Sequence, residues 1–313
     1  MIRIGTRESA LALAQAAEVA TALRARGVEV EIVPIRTAGD RLAHASLSTL
    51  GGKGLFVREI DEALLASRID VAVHSLKDLP ADRPLALCLA ALPPRVDARD
   101  VLVSRGGERL AALAPGAVVG TSSPRRRALI LAARPDLSVE PLRGNVDTRL
   151  RKLESGTCDA IILAAAGLRR LGAAPRNAQV LDPEEFVPAV GQGILAVEAR
   201  RGDPSTLTAL APLDDRPTRA CAEAERAFLG GLGASCASPL GAHATVLAGG
   251  DALRLTAVVA AEDGRAILRA QCEGPFGGAA AVGRALAASM LERGAADVAA
   301  LRPALGGARQ WPA

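Results

Sequence analysis

The chain has 313 residues, 50% of them hydrophobic, enough apolar material for more than one buried core, which excludes an intrinsically disordered chain. Thirty-eight Lys and Arg against 34 Asp and Glu leave a net charge of +4 spread along the length, too mild and dispersed for a nucleic-acid partner. With four Phe, one Trp and no Tyr, base-stacking surfaces are excluded as well.

The predicted elements alternate from the start. Arg3 to Gly5 reads as a strand, Ser9 to Arg26 as a helix stopped by Gly27, Val28 to Ile35 as a strand, Leu55 to Ser67 as a helix and Asp70 to His74 as a strand. This is the rhythm of a mostly parallel α/β sheet. It breaks at Pro93-Pro94 and resumes with strands at Asp100 to Ser104, 117–120, Leu137 to Leu142 and Ala160 to Ala164, with helices between the last three. After Pro188-Ala-Val-Gly-Gln-Gly193, a strand from Ile194 to Ala199 lacks a unit of its own and is expected to return to the first lobe.

From Thr218 a helix runs to Leu229. Three β segments then follow, separated by Gly-Gly-Asp and Glu-Asp-Gly turns that suit an antiparallel meander, and a helix from Gly277 to Arg293 closes the unit. The expected fold is therefore α/β, with two periplasmic-binding-protein-like lobes (1–94 with 194–214, and 98–188) around a cleft. A smaller α+β third domain covers 216–313. Two crossings between the lobes would form a hinge, with the ligand loops at the carboxyl ends of the strands.

Two turns carry oxyanion-seeking features. Thr121-Ser122-Ser123 is a run of N-cap residues before Pro124, which suits a first helical position, and Arg125, Arg126 and Arg127 crowd the first turn. A helix dipole disfavours cations there unless an anion sits among them. Arg143-Gly144-Asn145 opens a second helix, with Asn145 as cap and Arg149 one turn on. The pair predicts a ligand with several carboxylates or phosphates, against the alternative of an exposed basic patch.

The basic residues are 35 Arg and three Lys. Lys53 and Lys77, in loops, read as functional, and Lys152 as a solvated surface charge. Asp78, emerging where a strand ends, is the best catalytic carboxylate, with Lys77 beside it as a cation; its plain alternative is a turn aspartate before Pro80. Gly191 to Ala196 mimics a dinucleotide fingerprint but precedes a strand. Gly51-Gly-Lys-Gly54 lacks the remaining residues of a phosphate loop.

Among five cysteines, Cys236 lies in an accessible loop of small residues, while Cys88 reads as core and Cys158, Cys221 and Cys272 belong to regular elements. No metal is expected, since no CxxC occurs and the three histidines are far apart. No apolar stretch is long enough for a membrane partner. The scattered cysteines, and a start at Met1-Ile-Arg-Ile-Gly5 directly in a strand, lead to the expectation of a cytoplasmic protein.

Taken in order, Ile4-Gly-Thr-Arg-Glu-Ser9, Gly51-Gly-Lys-Gly-Leu-Phe56, His74-Ser-Leu-Lys-Asp-Leu-Pro80, Gly120-Thr-Ser-Ser-Pro-Arg-Arg126, Leu142-Arg-Gly-Asn-Val-Asp-Thr-Arg149, Ala166-Gly-Leu-Arg-Arg-Leu171 and Pro188 to Gly193 resemble the porphobilinogen deaminase (hydroxymethylbilane synthase) family over nearly the whole chain. The resemblance implies an enzyme that joins porphobilinogen units head to tail with release of ammonia, giving hydroxymethylbilane. It implies a dipyrromethane cofactor held by Cys236 through a thioether, a catalytic Asp78, and a monomer.

The same matching implies that Ser75, Lys77, Thr121, Ser123, Arg125, Arg126 and Gly144 face the cofactor. Arg7, Lys53, Phe56, Arg143, Arg149, Arg170 and Gln192 would face the substrate, since planar guanidinium forks suit carboxylates. The chain departs from the family pattern at Ala234-Ser235 before Cys236, at Ser238 before Pro239, and at Thr49, where some relatives carry a lysine. A competing reading from another class is a non-catalytic two-lobed binding protein for a small polyanion. Phosphoribosyl or nucleotide transfer lacks an acidic metal or ribose site.

Overall fold

The structure, a computed structural model, describes residues 1–37, 57–80, 83–235 and 237–299. Thr49, Lys53, Phe56 and Cys236 lie outside the described residues.

In the first lobe, β1 (Ile2–Arg7) leads into α1 (Ala10–Arg24), where Ser9 caps the helix by accepting from Ala12 N. Ala12, Ala16, Val19, Ala20 and Leu23 recur at three- and four-residue spacing and are buried. Several of them share a core with Val71 and Val73. β2 (Val30–Ile35), α2 (Arg58–Leu65), β3 (Val71–Ser75) and β4 (Leu87–Ala91) follow.

The second lobe contains β5 (Asp100–Ser104), β6 (Val118–Gly120), α3 (Pro124–Ala133), β7 (Ser138–Glu140), α4 (Val146–Glu154), β8 (Ala160–Ala164), α5 (Ala165–Arg170) and β9 (Ala178–Val180). The chain then returns through β10 (Leu195–Arg200) and α6 (Pro204–Leu210).

The two five-stranded sheets have the orders β2-β1-β3-β10-β4 and β7-β6-β8-β5-β9. The expectation of mostly parallel sheets holds, with one exception in each. In each, four strands run in one direction, and only the strand that follows a crossing runs antiparallel to both its neighbours: β10 between β3 and β4, and β5 between β8 and β9. A chain that enters a sheet from the other lobe without a crossover helix arrives in the opposite sense. β10 does return to the first lobe's sheet, as expected. Cys88, read as core, is half-buried on β4, where its Sγ lies 3.7 Å from Ala199 O.

α7 (Arg216–Gly231) is capped by Asp215 and opens the third unit. The antiparallel meander β11 (Leu240–Val246), β12 (Ala252–Ala260) and β13 (Ile267–Pro275) and then α8 (Ala279–Glu292) complete it. Leu253, Leu255, Ala257 and Val259 alternate onto one face of β12 and pack with Phe228 of α7 and Leu286 and Met290 of α8. No helix among the described residues is long and apolar enough to cross a membrane.

The two crossings run side by side. Val96 N donates to Gly193 O at 3.3 Å, and Arg95 Nε to Gln192 O at 2.9 Å. Glu225, fully buried on α7, gathers both: it accepts from Arg95 Nη1 at 2.6 Å, Gly191 N at 2.7 Å and Ala244 N at 2.8 Å.

Candidate active site

Asp78 owes its position to the end of β3. A turn of 3₁₀ helix, Leu76–Asp78, follows Ser75; Leu76 is buried and its N–H is fixed to Ile194 O at 3.0 Å, so the turn is held from the strand side. Asp78 itself is exposed. It lines a cavity with Arg7, Ser9, Gln15 and Ser75, where Gln15 Nε2 donates to Ser75 Oγ at 2.7 Å.

The facing wall is built by α3. Ser123 is its cap, accepting from Arg126 N at 3.4 Å, Pro124 stands at its start, and Thr121 Oγ1 accepts from Ser123 N at 3.2 Å. Arg125 and Arg126 are buried, and the anion that the helix dipole demands is internal. Asp100, the first residue of β5, meets Arg126 Nη2 at 2.7 Å and Arg125 Nη2 at 2.8 Å. Burial alone would raise its carboxyl, but the two guanidiniums outweigh burial and hold it well below the usual carboxylate range. Arg127 turns away and donates to Val139 O at 2.6 Å.

One carboxylate shared by two guanidiniums leaves a positive charge over. Arg125 Nε is also buried without an acceptor among the described residues. The wall can therefore receive a further anion.

Asn145 caps α4 by accepting from Thr148 N at 3.0 Å. Gly144 before it has φ +118°, and a Cβ there would come within 2.7 Å of the Thr148 side chain, so the turn needs glycine. Gly144 O accepts from Arg149 Nε at 2.8 Å. Burial pushes the Arg149 pKa down and Arg126 adds to the effect, while Asp78 pulls the other way, so Asp78 lies within electrostatic reach of this wall. Lys152, expected to be a solvated charge, is half-buried and donates to Arg143 O at 3.1 Å. It braces the turn that carries Arg143.

Lys77 and Gln192 connect the walls. Lys77 Nζ donates to Gln192 Oε1 at 3.4 Å, and Gln192 Nε2 to Ala98 O at 2.7 Å and Asp100 Oδ1 at 2.9 Å. Lys77 keeps some exposed surface, yet the protein packed around its ammonium lowers its pKa, against the pull of Asp78.

Arg170 is placed differently from an open carboxylate receptor. Its nearly buried guanidinium donates to Glu18 Oε2 of α1 at 2.9 Å and to Gly193 O at 3.4 Å, bridging the lobes.

Residues 2–208 match the family model described as "Porphobilinogen deaminase, dipyromethane cofactor binding domain", and residues 219–292 the one described as "Porphobilinogen deaminase, C-terminal domain". The chain belongs to the porphobilinogen deaminase family.

Among curated porphobilinogen deaminases, that of Syntrophotalea carbinolica is 48% identical over 296 residues (94% of this chain, 93% of the relative). That of Roseiflexus castenholzii is 50% identical over 295 residues (94% and 96%), and that of an Exiguobacterium species 46% over 302 residues (96% and 98%). A solved substrate-binding protein of an amino acid ABC transporter aligns with a TM-score of 0.36 at 17% identity, covering 68% of this chain and 90% of its own, too low a likeness to argue from.

Membership in the porphobilinogen deaminase family decides for a transferase over the polyanion-binding protein, and the matched cofactor domain agrees with the expected dipyrromethane. The described residues fit such a group: a dipyrrole bearing acetate and propionate carboxylates suits a wall with surplus positive charge and an unsatisfied buried guanidinium N–H. The departing serines, Ser235 and Ser238, both accept hydrogen bonds from nearby backbone. Ser235 N donates to Ser238 Oγ at 3.3 Å, and Ala237 N to Ser235 Oγ at 3.3 Å. Just beyond, Gly241 runs so near the second lobe that a Cβ would lie 3.0 Å from Arg125 Cδ.

The sequence reading missed Asp100 and Glu18. A buried acid opening an apolar strand, in a chain with a buried arginine pair, was the available signal for Asp100. Glu18 sits at an exposed helix position that any surface residue could fill.

Proposed function

We propose that the cleft between the lobes joins four porphobilinogen units head to tail, each condensation forming one carbon–carbon bond and releasing one ammonia, and that one water then cleaves the four-unit chain from its primer to give hydroxymethylbilane. The observation that carries this reading is the opposition of an exposed carboxylate, Asp78 at the end of β3, to a wall of guanidiniums from Arg125, Arg126 and Arg149.

Asp78 accepts from pyrrole N–H groups and stabilises the positive charge that develops as the aminomethyl group departs, a role for which a fixed opposite charge is effective. Arg7, Lys53, Phe56, Arg143, Arg149, Arg170 and Gln192 hold the incoming unit, the arginines pairing with its acetate and propionate. Cys236, Ser75, Lys77, Thr121, Ser123, Arg125, Arg126 and Gly144 hold the dipyrromethane. When bound, that group supplies the pyrrole carbon to which the first unit is joined. Asp100 keeps Arg125 and Arg126 gathered as one wall, and Gln192 ties that wall to Lys77 on the other side. The protein works as a monomer in the cytoplasm.

Intact-protein mass spectrometry of the wild type and of Cys236→Ser tests the assignment. A dipyrrole-sized adduct on the wild type alone is expected, and an unmodified, fully active wild type would overturn it.

A further inference from the structure

α7 has two working faces. Cys221, Ala224 and Phe228 pack into the core of the third domain. The other face points to the first lobe and the crossing that leaves it: Thr218 Oγ1 accepts from Arg95 N at 2.9 Å, and Ala222 joins Leu76, Leu79, Leu92 and Ile194 in a shared cluster. Arg226, one turn on from Ala222, continues this face. Its Nη1 donates to Leu79 O at 3.2 Å and its Nη2 to Pro80 O at 3.1 Å.

These two carbonyls directly follow Asp78. Leu79 N closes the turn onto Leu76 O at 3.2 Å, and Pro80 has no N–H to offer, so the carbonyl side of this segment is where a clamp can grip. A planar fork can serve two successive carbonyls at once, which a single ammonium does less well. The residue is 8% exposed, and desolvating a guanidinium is costly. Burial lowers its pKa to about 10, which leaves it charged at neutral pH.

We infer that Arg226 is a positioning residue: it clamps the backbone behind Asp78 to α7 and so fixes the catalytic carboxylate relative to the loop that carries Cys236. The same helix runs on from Arg226 to Gly231 and gives way to that loop, a rise of roughly 7.5 Å along one rigid rod. The turn that carries the carboxylate and the described start of the loop after Gly231 thus share one element. An apolar side chain at 226 could fill the space but could not hold Leu79 and Pro80 in register.

The inference rests on the reading of Asp78 as the catalytic carboxylate. It is tested with the full chain as Arg226→Gln, Arg226→Lys, Asp78→Asn and the Asp78→Asn/Arg226→Gln double variant. Cofactor loading is checked by intact mass, and kcat and KM are measured on porphobilinogen. Arg226→Gln is expected to carry the cofactor and keep its KM while kcat falls about tenfold to a hundredfold, the scale of a small misplacement of a reacting group. Arg226→Lys is expected between it and the wild type, and the double variant no slower than Asp78→Asn alone.

A loaded Arg226→Gln with wild-type kcat overturns the inference, as does a loss that multiplies with that of Asp78→Asn. Should Arg226→Gln fail to fold, Arg226→Lys decides: lower kcat at unchanged KM supports the clamp, and wild-type kcat overturns it. Normal turnover by Asp78→Asn overturns the catalytic reading itself. A slow Asp78→Asn beside a normal Arg226→Gln overturns the clamp alone.

Discussion

Gln192 donates to Asp100 at 2.9 Å, and through this contact the hinge touches the carboxylate on which both wall arginines depend. Asp100 therefore has two duties: it neutralises part of a crowded cationic pair and anchors the crossing that leads back to the first lobe.

Asp100→Asn should accordingly destabilise the protein by about 3–5 kcal/mol, the cost of removing one partner from a buried ion pair. Thermal or urea unfolding measures this, and a loss below about 1 kcal/mol would mean that the arginines find another anion. The pH dependence has a defined sign. The carboxyl is depressed in the folded protein, so its contribution is complete above the unfolded value of about 4 and fades as the solution is acidified below it. The wild type should lose more stability than Asp100→Asn between about pH 4 and pH 2; parallel curves would contradict the assignment.

Asp78→Ala should leave the unfolding free energy within about 1 kcal/mol of wild type, because the side chain is exposed. Turnover should drop by about a hundredfold or more, in line with removing a preorganised charge from a developing cation. Porphobilinogen consumption at a normal rate would transfer the chemistry to another group.

Glu18→Gln removes an internal competitor for Arg170. Glu18 is the exposed side of this pair, and pairs with an exposed partner contribute about 0.2–1 kcal/mol, so the KM for porphobilinogen should fall by up to about fivefold and its rise with salt should steepen. Steady-state kinetics at two ionic strengths reads both. An unchanged KM would mean that Arg170 works as a strut between the lobes and does not bind substrate.

Local features were legible in the sequence. Ser9, Ser123 and Asn145 each cap a helix because capping is decided within three residues. The meander of the third unit showed itself through alternation and its turns. Features decided by distant parts of the chain did not. Asp100 finds Arg125 and Arg126 only after β5 and β6 have both paired with β8, and Glu18 meets Arg170 across 152 residues.

β9 has three residues and is held by backbone pairing to β5, which leaves no side-chain pattern to read. The directions of β5 and β10 depended on how the chain re-enters a sheet. Local periodicity does not encode that.

Glu225 joins Arg95 on one crossing, Gly191 on the other and Ala244 on β11. Two crossing segments pinned to one carboxylate are held in register with each other, and the third domain is their anchor. One carboxylate thus ties both crossings to β11, the strand into which the cofactor loop leads.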